Sequence, residues 1–162
     1  MLHPDGSWIS FFLVIALRYF VIAGLVFFVW YVLLRKRISF SKIQLRFPTG
    51  KDYQREILYS LSTMFIFAFI PWFFLGHESV RKHTTWYRDI DQYGRFYFWM
   101  AFPIMLLIHD TYFYWIHRLM HHPKLFRVIH LVHHKSTNPS PWAAFAFHPL
   151  EALAEIGILV VF

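Results

Sequence analysis

Residues 109–148 decide the fold of this chain, and they read HDTYFYWIHRLMHHPKLFRVIHLVHHKSTNPSPWAAFAFH. These forty residues hold eight of the chain's eleven histidines, and the chain contains no cysteine. A metal site built from these side chains would use imidazole nitrogen and not thiolate sulfur, a ligand that suits iron, zinc or copper. The concentration of histidine in one short stretch therefore predicts a metal site.

Helical spacing brings five of these histidines onto two facing helices. Side chains three or four residues apart lie on one face of an α-helix, so His117 and His121 can reach the same ion. Three more follow at helical spacing on the next segment: His130, His133 and His134. Five imidazoles cannot pack together as cations, because like charges in a half-buried site repel one another. We therefore predict five neutral ligands of a binuclear site, with a hydrogen-bonded polar core as the alternative.

The histidines outside these two groups give weaker signals. His3, His77 and His83 are isolated in the sequence, and we expect them to be ordinary core or surface residues. His122 is followed by Pro123, so it is expected to end the first helix and not to bind metal.

Asp110 is a candidate for orienting a ligand histidine. It stands seven residues before His117, so both lie on one helical stripe. Its carboxylate is predicted to accept the second ring N–H of a ligand and fix its tautomer, or else to hydrogen-bond a neighbouring helix. His109 lies about 80° off that stripe, which makes it a weaker candidate for a metal ligand.

His148 and Glu151 follow a loop rich in serine and proline. His148 is predicted either to be a further ligand or donor, with Glu151 as its partner, or to precede a helix that begins at Pro149. For Glu151 the helical alternative is favoured, because a carboxylate in a first turn interacts well with the helix dipole.

The composition indicates a membrane protein. The 162 residues are 57% hydrophobic and 22% aromatic, with a net charge of +7, which fits neither an ordinary soluble domain nor a disordered chain. Apolar runs at residues 8–34 and 57–75 are long enough to cross a bilayer. Residues 35–55 between them carry seven basic side chains, which predicts a cytoplasmic loop facing anionic lipid headgroups and no nucleic acid.

A third apolar helix is predicted from Phe96, and it would return the chain to the cytoplasmic side, where the histidines would project beyond the lipid. The expected fold is an all-α polytopic membrane bundle with a cytosolic histidine-rich metal site on extended helices. Residues 1–95 would form an N-terminal transmembrane region, and residues 96–162 the metal-binding domain.

These motifs resemble the fatty acid hydroxylase and sterol desaturase superfamily. The resemblance covers residues 96–162 and rests on HDTYFYWIHRLMHH, on the H-x-x-H-H that ends at His134, and on FHPLE at residues 147–151. It implies a membrane-embedded, non-haem oxidoreductase with two iron ions, in which His117 and His121 form the first histidine box and the later three the second. It also implies a lipid substrate, dioxygen, and an external electron donor such as a cytochrome b5, a ferredoxin or a fused reductase.

The superfamily pattern includes a third histidine box, again H-x-x-H-H, downstream of the second. Residues 149–162 read as an apolar helix that stops before crossing a bilayer, so the sequence is expected to be a fragment. Three functions remain open: an oxygen-dependent lipid hydroxylase or desaturase, a metal-binding or transport protein, and a non-catalytic relative. Sterol, fatty acyl, alkylglycerol and carotenoid substrates are all compatible with the sequence.

Overall fold

The computed structural model describes residues 7–40, 42–44, 46–84 and 89–161. Every regular element in these ranges is helical, which confirms the all-α prediction. The α-helices in chain order are α1 Trp8–Phe27, α2 Arg35–Ile38, α3 Gly50–Gly76, α4 Glu78–Arg81, α5 Arg95–Met120, α6 Pro123–Leu125, α7 Leu131–His134 and α8 Pro149–Ile156. Helical turns of other types join them at Phe28–Leu33, Phe126–His130, Pro141–Phe145 and Gly157–Val160.

Two of the described helices are long and apolar enough to cross a membrane. The first is α1 together with the π-helical turn that continues it, Trp8–Leu33, which agrees with the predicted span to one residue. The Ser7 hydroxyl caps it by accepting a hydrogen bond from the backbone N–H of Ser10. The second is α3.

Helix α3 begins seven residues earlier than the predicted span at residue 57. Pro48 lies just before this helix and Gly50 is its first residue, so both stand at the helix boundary. The Thr49 side chain accepts from the backbone N–H of Asp52, and the Asp52 carboxylate accepts from the backbone N–H of Thr49 at 2.9 Å. This reciprocal capping box satisfies two amide groups that a helix start leaves unpaired.

The 3₁₀ segment Pro141–Phe145 packs between α1 and α3. The Trp142 carbonyl accepts a hydrogen bond from the Tyr19 hydroxyl of α1 at 2.7 Å and another from the Ser60 hydroxyl of α3 at 3.0 Å. Beside it, the fully buried Glu56 accepts a hydrogen bond from Ser140. Polar groups within an apolar bundle must find protein partners, so these contacts fix the segment against both long helices.

The basic stretch of residues 35–55, which joins the two long helices and includes the start of α3, lies against the segment that follows His133 and His134. The Arg55 guanidinium donates to the carbonyl of Lys135 at 3.4 Å. Gln44 donates to the Thr137 carbonyl, and Asn138 donates to the Arg46 carbonyl. The basic loop and the histidine-rich region therefore lie at the same end of the bundle.

The histidine-rich region itself is formed by α5 and by the short helices that follow it. The start of α5 at Arg95 agrees with the helix predicted from Phe96. The second helix expected for the histidines consists of α6 and α7 joined by the π-helical turn Phe126–His130. Such turns are frequent at functional sites.

Candidate metal centre

The first pair of histidines lies at the C-terminal end of α5. His117 is in the last turn, and His121 is the C-cap residue. Their Nε2 atoms are 3.2 Å apart and their ring centroids 4.8 Å apart. The two rings thus direct one nitrogen each toward a common point, as the spacing predicted.

His130 joins this pair from the π-helical turn. Its ring centroid is 4.6 Å from that of His117 and 4.8 Å from that of His121. One ligand nitrogen from each of these three residues lies within 4.8 Å of the others. His130 is also 4.7 Å from the ring of His134 and 5.3 Å from that of His133. The structure brings together the five residues of this histidine cluster: His117, His121, His130, His133 and His134.

The surroundings lower the pKa values of three histidines of the cluster. Burial lowers the pKa of His130 to about 4, and the neighbouring imidazoles add to the effect. Burial and the other histidines also lower the pKa values of His117 and His133. Neutral imidazole has a free lone pair for coordination, so these rings need lose no proton before they bind a cation near neutral pH.

One atom of His130 offers a direct test of whether a metal ion fits. Its Nε2 is buried and has no hydrogen-bond partner among the described residues. Leaving a buried polar nitrogen unpaired costs about 1–3 kcal/mol. A metal ion would satisfy that lone pair, and the nitrogen-only donor set suits iron, zinc or copper. The cluster therefore fits a metal ion.

Glu151 holds the other side of the His130 ring. His130 Nδ1 and Glu151 Oε1 are 2.7 Å apart, and both side chains are only 1% exposed. A carboxylate in this position accepts Nδ1–H, which leaves Nε2 free to bind metal and fixes the ring orientation. Burial and the nearby Glu155 carboxyl raise the pKa of Glu151 to about 8. A metal ion bound at His130 Nε2 would favour the ionised carboxylate, because a nearby positive charge lowers the pKa of an acid.

The prediction for Glu151 requires a correction. Glu151 is in the first turn of α8, as expected. Its side chain, however, hydrogen-bonds His130, so its role is not limited to the helix dipole. The FHPLE motif after the second histidine box is the signal for this residue in the sequence, but it does not identify the histidine that the carboxylate contacts.

The prediction that Asp110 orients a cluster histidine finds no contact to support it. The hydrogen bond of Asp110 runs to Nδ1 of His109 at 3.4 Å, and the Asp110 side chain is 73% exposed. Asp110 and His117 do line one cavity of about 270 Å³, but two helical turns, about 10 Å along the axis, separate them. The role of Asp110 therefore stays a prediction. His109 itself is about 12 Å from His117 along the same axis, outside the histidine cluster.

The other histidines act locally. His148 caps α8, since its Nδ1 accepts from the backbone N–H of Leu150 at 3.2 Å, and a ligand role for it stays a prediction. His122 caps α6 by accepting from Lys124 at 3.4 Å, which agrees with its expected place at a helix boundary. His77 is exposed and its Nδ1 lies 2.6 Å from the Phe73 carbonyl. His3 lies outside the described residues.

Comparison with known proteins gives consistent results. The model of the fatty acid hydroxylase family matches residues 102–162. A Delta(7)-sterol 5(6)-desaturase of Gibberella zeae is 45% identical over 85 residues, which cover 51% of this chain and 25% of the relative. A second protein of that name, from Aspergillus fumigatus, is 32% identical over 155 residues, or 92% of this chain and 42% of the relative.

A relative with a different name gives a similar match. The lathosterol oxidase of Rattus norvegicus is 30% identical over 157 residues, covering 93% of this chain and 46% of the relative. The chain thus spans less than half the length of these relatives. No solved structure matches it. These relatives and the two long apolar helices identify a membrane protein.

Proposed function

Since this chain belongs to the fatty acid hydroxylase and sterol desaturase superfamily, we propose that it takes part in the oxygen-dependent oxidation of a lipid C–H bond at a histidine-ligated di-iron centre. Residues 96–162 would form the iron-binding domain, and residues 1–95 its membrane region. The names of the relatives favour desaturation of a sterol over hydroxylation of an acyl chain.

The observation that carries this proposal is the histidine cluster with the unpartnered His130 Nε2 at its centre. A surface group of histidines would be satisfied by water, but this nitrogen is buried and its ring is held by Glu151. A satisfied polar core, the alternative considered from the sequence, would require a hydrogen-bond donor at Nε2, and the described residues provide none.

Iron bound here would supply the electrons that activate dioxygen for attack on an unactivated C–H bond. The protein's own contribution is to hold neutral imidazoles at fixed spacing, with Glu151 accepting the Nδ1 proton of His130. In desaturation, the two hydrogen atoms removed from the lipid, with two electrons and two protons from outside, reduce dioxygen to two water molecules. The electrons require a separate donor protein.

The side of the membrane is proposed from the loop contacts. Seven basic residues lie between residues 35 and 55, five of them in the loop between the two long helices and two at the start of α3. This basic stretch packs against the segment that follows the histidine cluster. Basic loops are retained on the cytoplasmic side. The cluster would therefore face the cytoplasm, where a soluble or membrane-anchored electron donor can reach it.

Elemental analysis of the detergent-purified chain tests the proposal. We expect iron in the wild-type protein and its loss in His117→Ala and His133→Ala, with insertion into membranes unchanged. The matched control is His77→Ala, an exposed histidine outside the cluster, which should retain the wild-type iron content. Zinc alone, or no metal in any variant, would instead favour a metal-transport or non-catalytic role.

A further inference from the structure

Helix α3 carries three buried polar side chains on one face. Glu56, Ser60 and Thr63 stand four and then three residues apart, a spacing that places them one above another along the helix. All three are 0% exposed, although α3 is one of the two helices apolar enough to cross a membrane. Burying a carboxyl or hydroxyl group costs free energy unless the group finds a hydrogen-bond partner. This polar stripe of α3 therefore depends on the element that covers it.

The segment between the histidine cluster and α8 covers the polar stripe. Glu56 accepts a hydrogen bond from the Ser140 hydroxyl, and the Thr63 hydroxyl donates to the Phe147 carbonyl at 3.5 Å. Between these two contacts, the Ser60 hydroxyl donates to a carbonyl of the same segment at 3.0 Å. The residue numbers of the partners rise together, so the segment runs along α3 in the direction of the helix.

Glu56 holds the beginning of this segment. The Ser140 hydroxyl that donates to Glu56 also accepts from the backbone N–H of Trp142 at 3.2 Å, which caps the 3₁₀ segment Pro141–Phe145. One serine therefore joins the carboxyl group on α3 to the start of the 3₁₀ segment. The second carboxyl oxygen of Glu56, Oε1, is buried and has no partner among the described residues.

The pairing of Glu56 with Ser140 fixes the register of the segment on α3. Backbone carbonyl groups recur at every residue, so the hydroxyl groups of Ser60 and Thr63 can meet carbonyl groups in more than one register. Residues 138–147 contain a single hydroxyl side chain, that of Ser140. Only one register therefore lets Glu56 accept from it.

The far end of the segment reaches two residues of the histidine cluster. The Phe147 ring packs against the His133 ring, with centroids 5.4 Å apart and planes tilted by 31°. Helix α8 begins two residues later, and its Glu151 side chain lies 2.7 Å from Nδ1 of His130. A slip of one residue moves an extended chain by about 3.3 Å, which would break the hydrogen bond between Glu151 and His130.

The register set by Glu56 thus determines where Glu151 meets the cluster. In an inference that rests on the proposed function, we propose that Glu56 is a positioning residue of the metal centre, acting through Ser140 and the 3₁₀ segment. Glu56 contacts no histidine of the cluster, so its effect passes through the backbone of that segment. The alternative is that Glu56 only stabilises the fold, in which case its loss lowers stability and leaves the properties of the folded metal centre unchanged.

Cobalt(II) binding to the detergent-purified chain separates these two roles. Chelator competition gives the affinity, and the visible absorption bands of bound cobalt report the arrangement of its ligands. We expect Glu56→Leu to shift the bands and to weaken binding roughly fivefold, the factor that one neutral hydrogen bond contributes to an equilibrium. Glu56→Gln keeps an acceptor oxygen for Ser140 and should restore both properties. Thr49→Ala removes the cap of the same helix, so it is the control for lost stability and should bind cobalt like the wild type.

Ser140→Ala removes the same hydrogen bond from its other side and keeps the inference testable if Glu56→Leu does not fold. The double variant should bind cobalt no more weakly than the weaker of the two single variants, because both substitutions remove one shared interaction. Three results would overturn the inference: additive losses in the double variant, wild-type affinity and bands in either folded single variant, or an equal loss of affinity in Thr49→Ala.

A metal-free signal keeps this inference separate from the proposed function. In protein that contains isotope-labelled histidine, the Nδ1–H proton resonance of His130 is assigned by its loss in Glu151→Ala, and we expect Glu56→Leu to shift it. A wild-type chain that binds no metal would refute the proposed function. The proton resonance would then decide on Glu56 alone, since an unchanged resonance in Glu56→Leu refutes the positioning role and a shifted one supports it.

Discussion

Removing the Glu151 carboxylate should weaken metal binding without removing any ligand. Glu151 and the ligand candidate His130 share a buried hydrogen bond of 2.7 Å. A hydrogen bond to a charged group is worth about 1.5–3 kcal/mol, which corresponds to a roughly 10- to 100-fold change in affinity. Losses of that size are typical when the partner of a metal-bound histidine is mutated. We expect Glu151→Ala to weaken metal binding by this factor.

A second substitution separates ring orientation from charge. Glu151→Gln retains an acceptor oxygen for Nδ1–H, so it should hold the ring, but it removes the negative charge. Its NH₂ group would also take the position of Oε2, which is buried and has no partner among the described residues. We therefore expect an intermediate loss of roughly tenfold.

The affinity is measured by competition with a chromophoric chelator, using cobalt(II) as a spectroscopic substitute for iron in detergent-purified protein. Glu78→Ala, a carboxylate on exposed α4, is the control. The reasoning would be refuted if Glu151→Ala bound metal within twofold of the wild type while His130→Ala did not bind it. Equal losses in the Ala and Gln variants would show that charge and not orientation is the contribution of Glu151.

Three further predictions concern the fold and the site. Because the chain has no cysteine, Lys36→Cys and Glu78→Cys can be labelled separately with a membrane-impermeant maleimide. We expect Lys36→Cys to be labelled from the cytoplasmic side and Glu78→Cys from the opposite side. Labelling of both variants from one side would contradict the topology. Protons compete with metal for imidazole, and the fold lowers the pKa of His130 from 6.5 to about 4, so metal should be retained as the pH falls through 6.5 and be released nearer the lower value. Chelator competition at stepped pH measures this, and half-release above pH 6.5 would be inconsistent with binding at the buried His130. Thr49→Ala removes the N-terminal cap of α3 and should lower the free energy of unfolding by about 1 kcal/mol. Thermal unfolding measures this against the control Thr137→Ala, and equal stabilities of the two variants would argue against the capping box.

The sequence predicted those parts of the molecule that depend on local spacing. The i, i+4 relation of His117 and His121 follows from helix geometry, and the distances between their rings agree with it. The first apolar run and the start of α5 were also predicted closely, because an uninterrupted hydrophobic run has few alternatives to a helix.

The sequence did not predict features that depend on packing between distant segments. The partner of His130 lies 21 residues away in sequence, on a helix whose direction is fixed by contacts with α3 and the π-helical turn. From the sequence, Asp110 is the more obvious candidate because it stands near the first box. The start of α3 was missed for a different reason. Residues 50–56 are mostly polar and precede the apolar run, and the reciprocal side-chain contacts of Thr49 and Asp52 begin the helix there.

The carbonyl of Trp142 has a consequence for the order of biosynthesis. It accepts hydrogen bonds from Tyr19, 123 residues earlier in the chain, and from Ser60, 82 residues earlier. A ribosome releases both long helices before Trp142 emerges, so on the proposed topology they would insert as a hairpin while the Tyr19 and Ser60 hydroxyls still lack their final partner. Contacts this distant in sequence form late, and the 3₁₀ segment would join the hairpin afterwards. Slowing translation between residues 76 and 140 would then prolong the time in which an incomplete hairpin is exposed to membrane quality control.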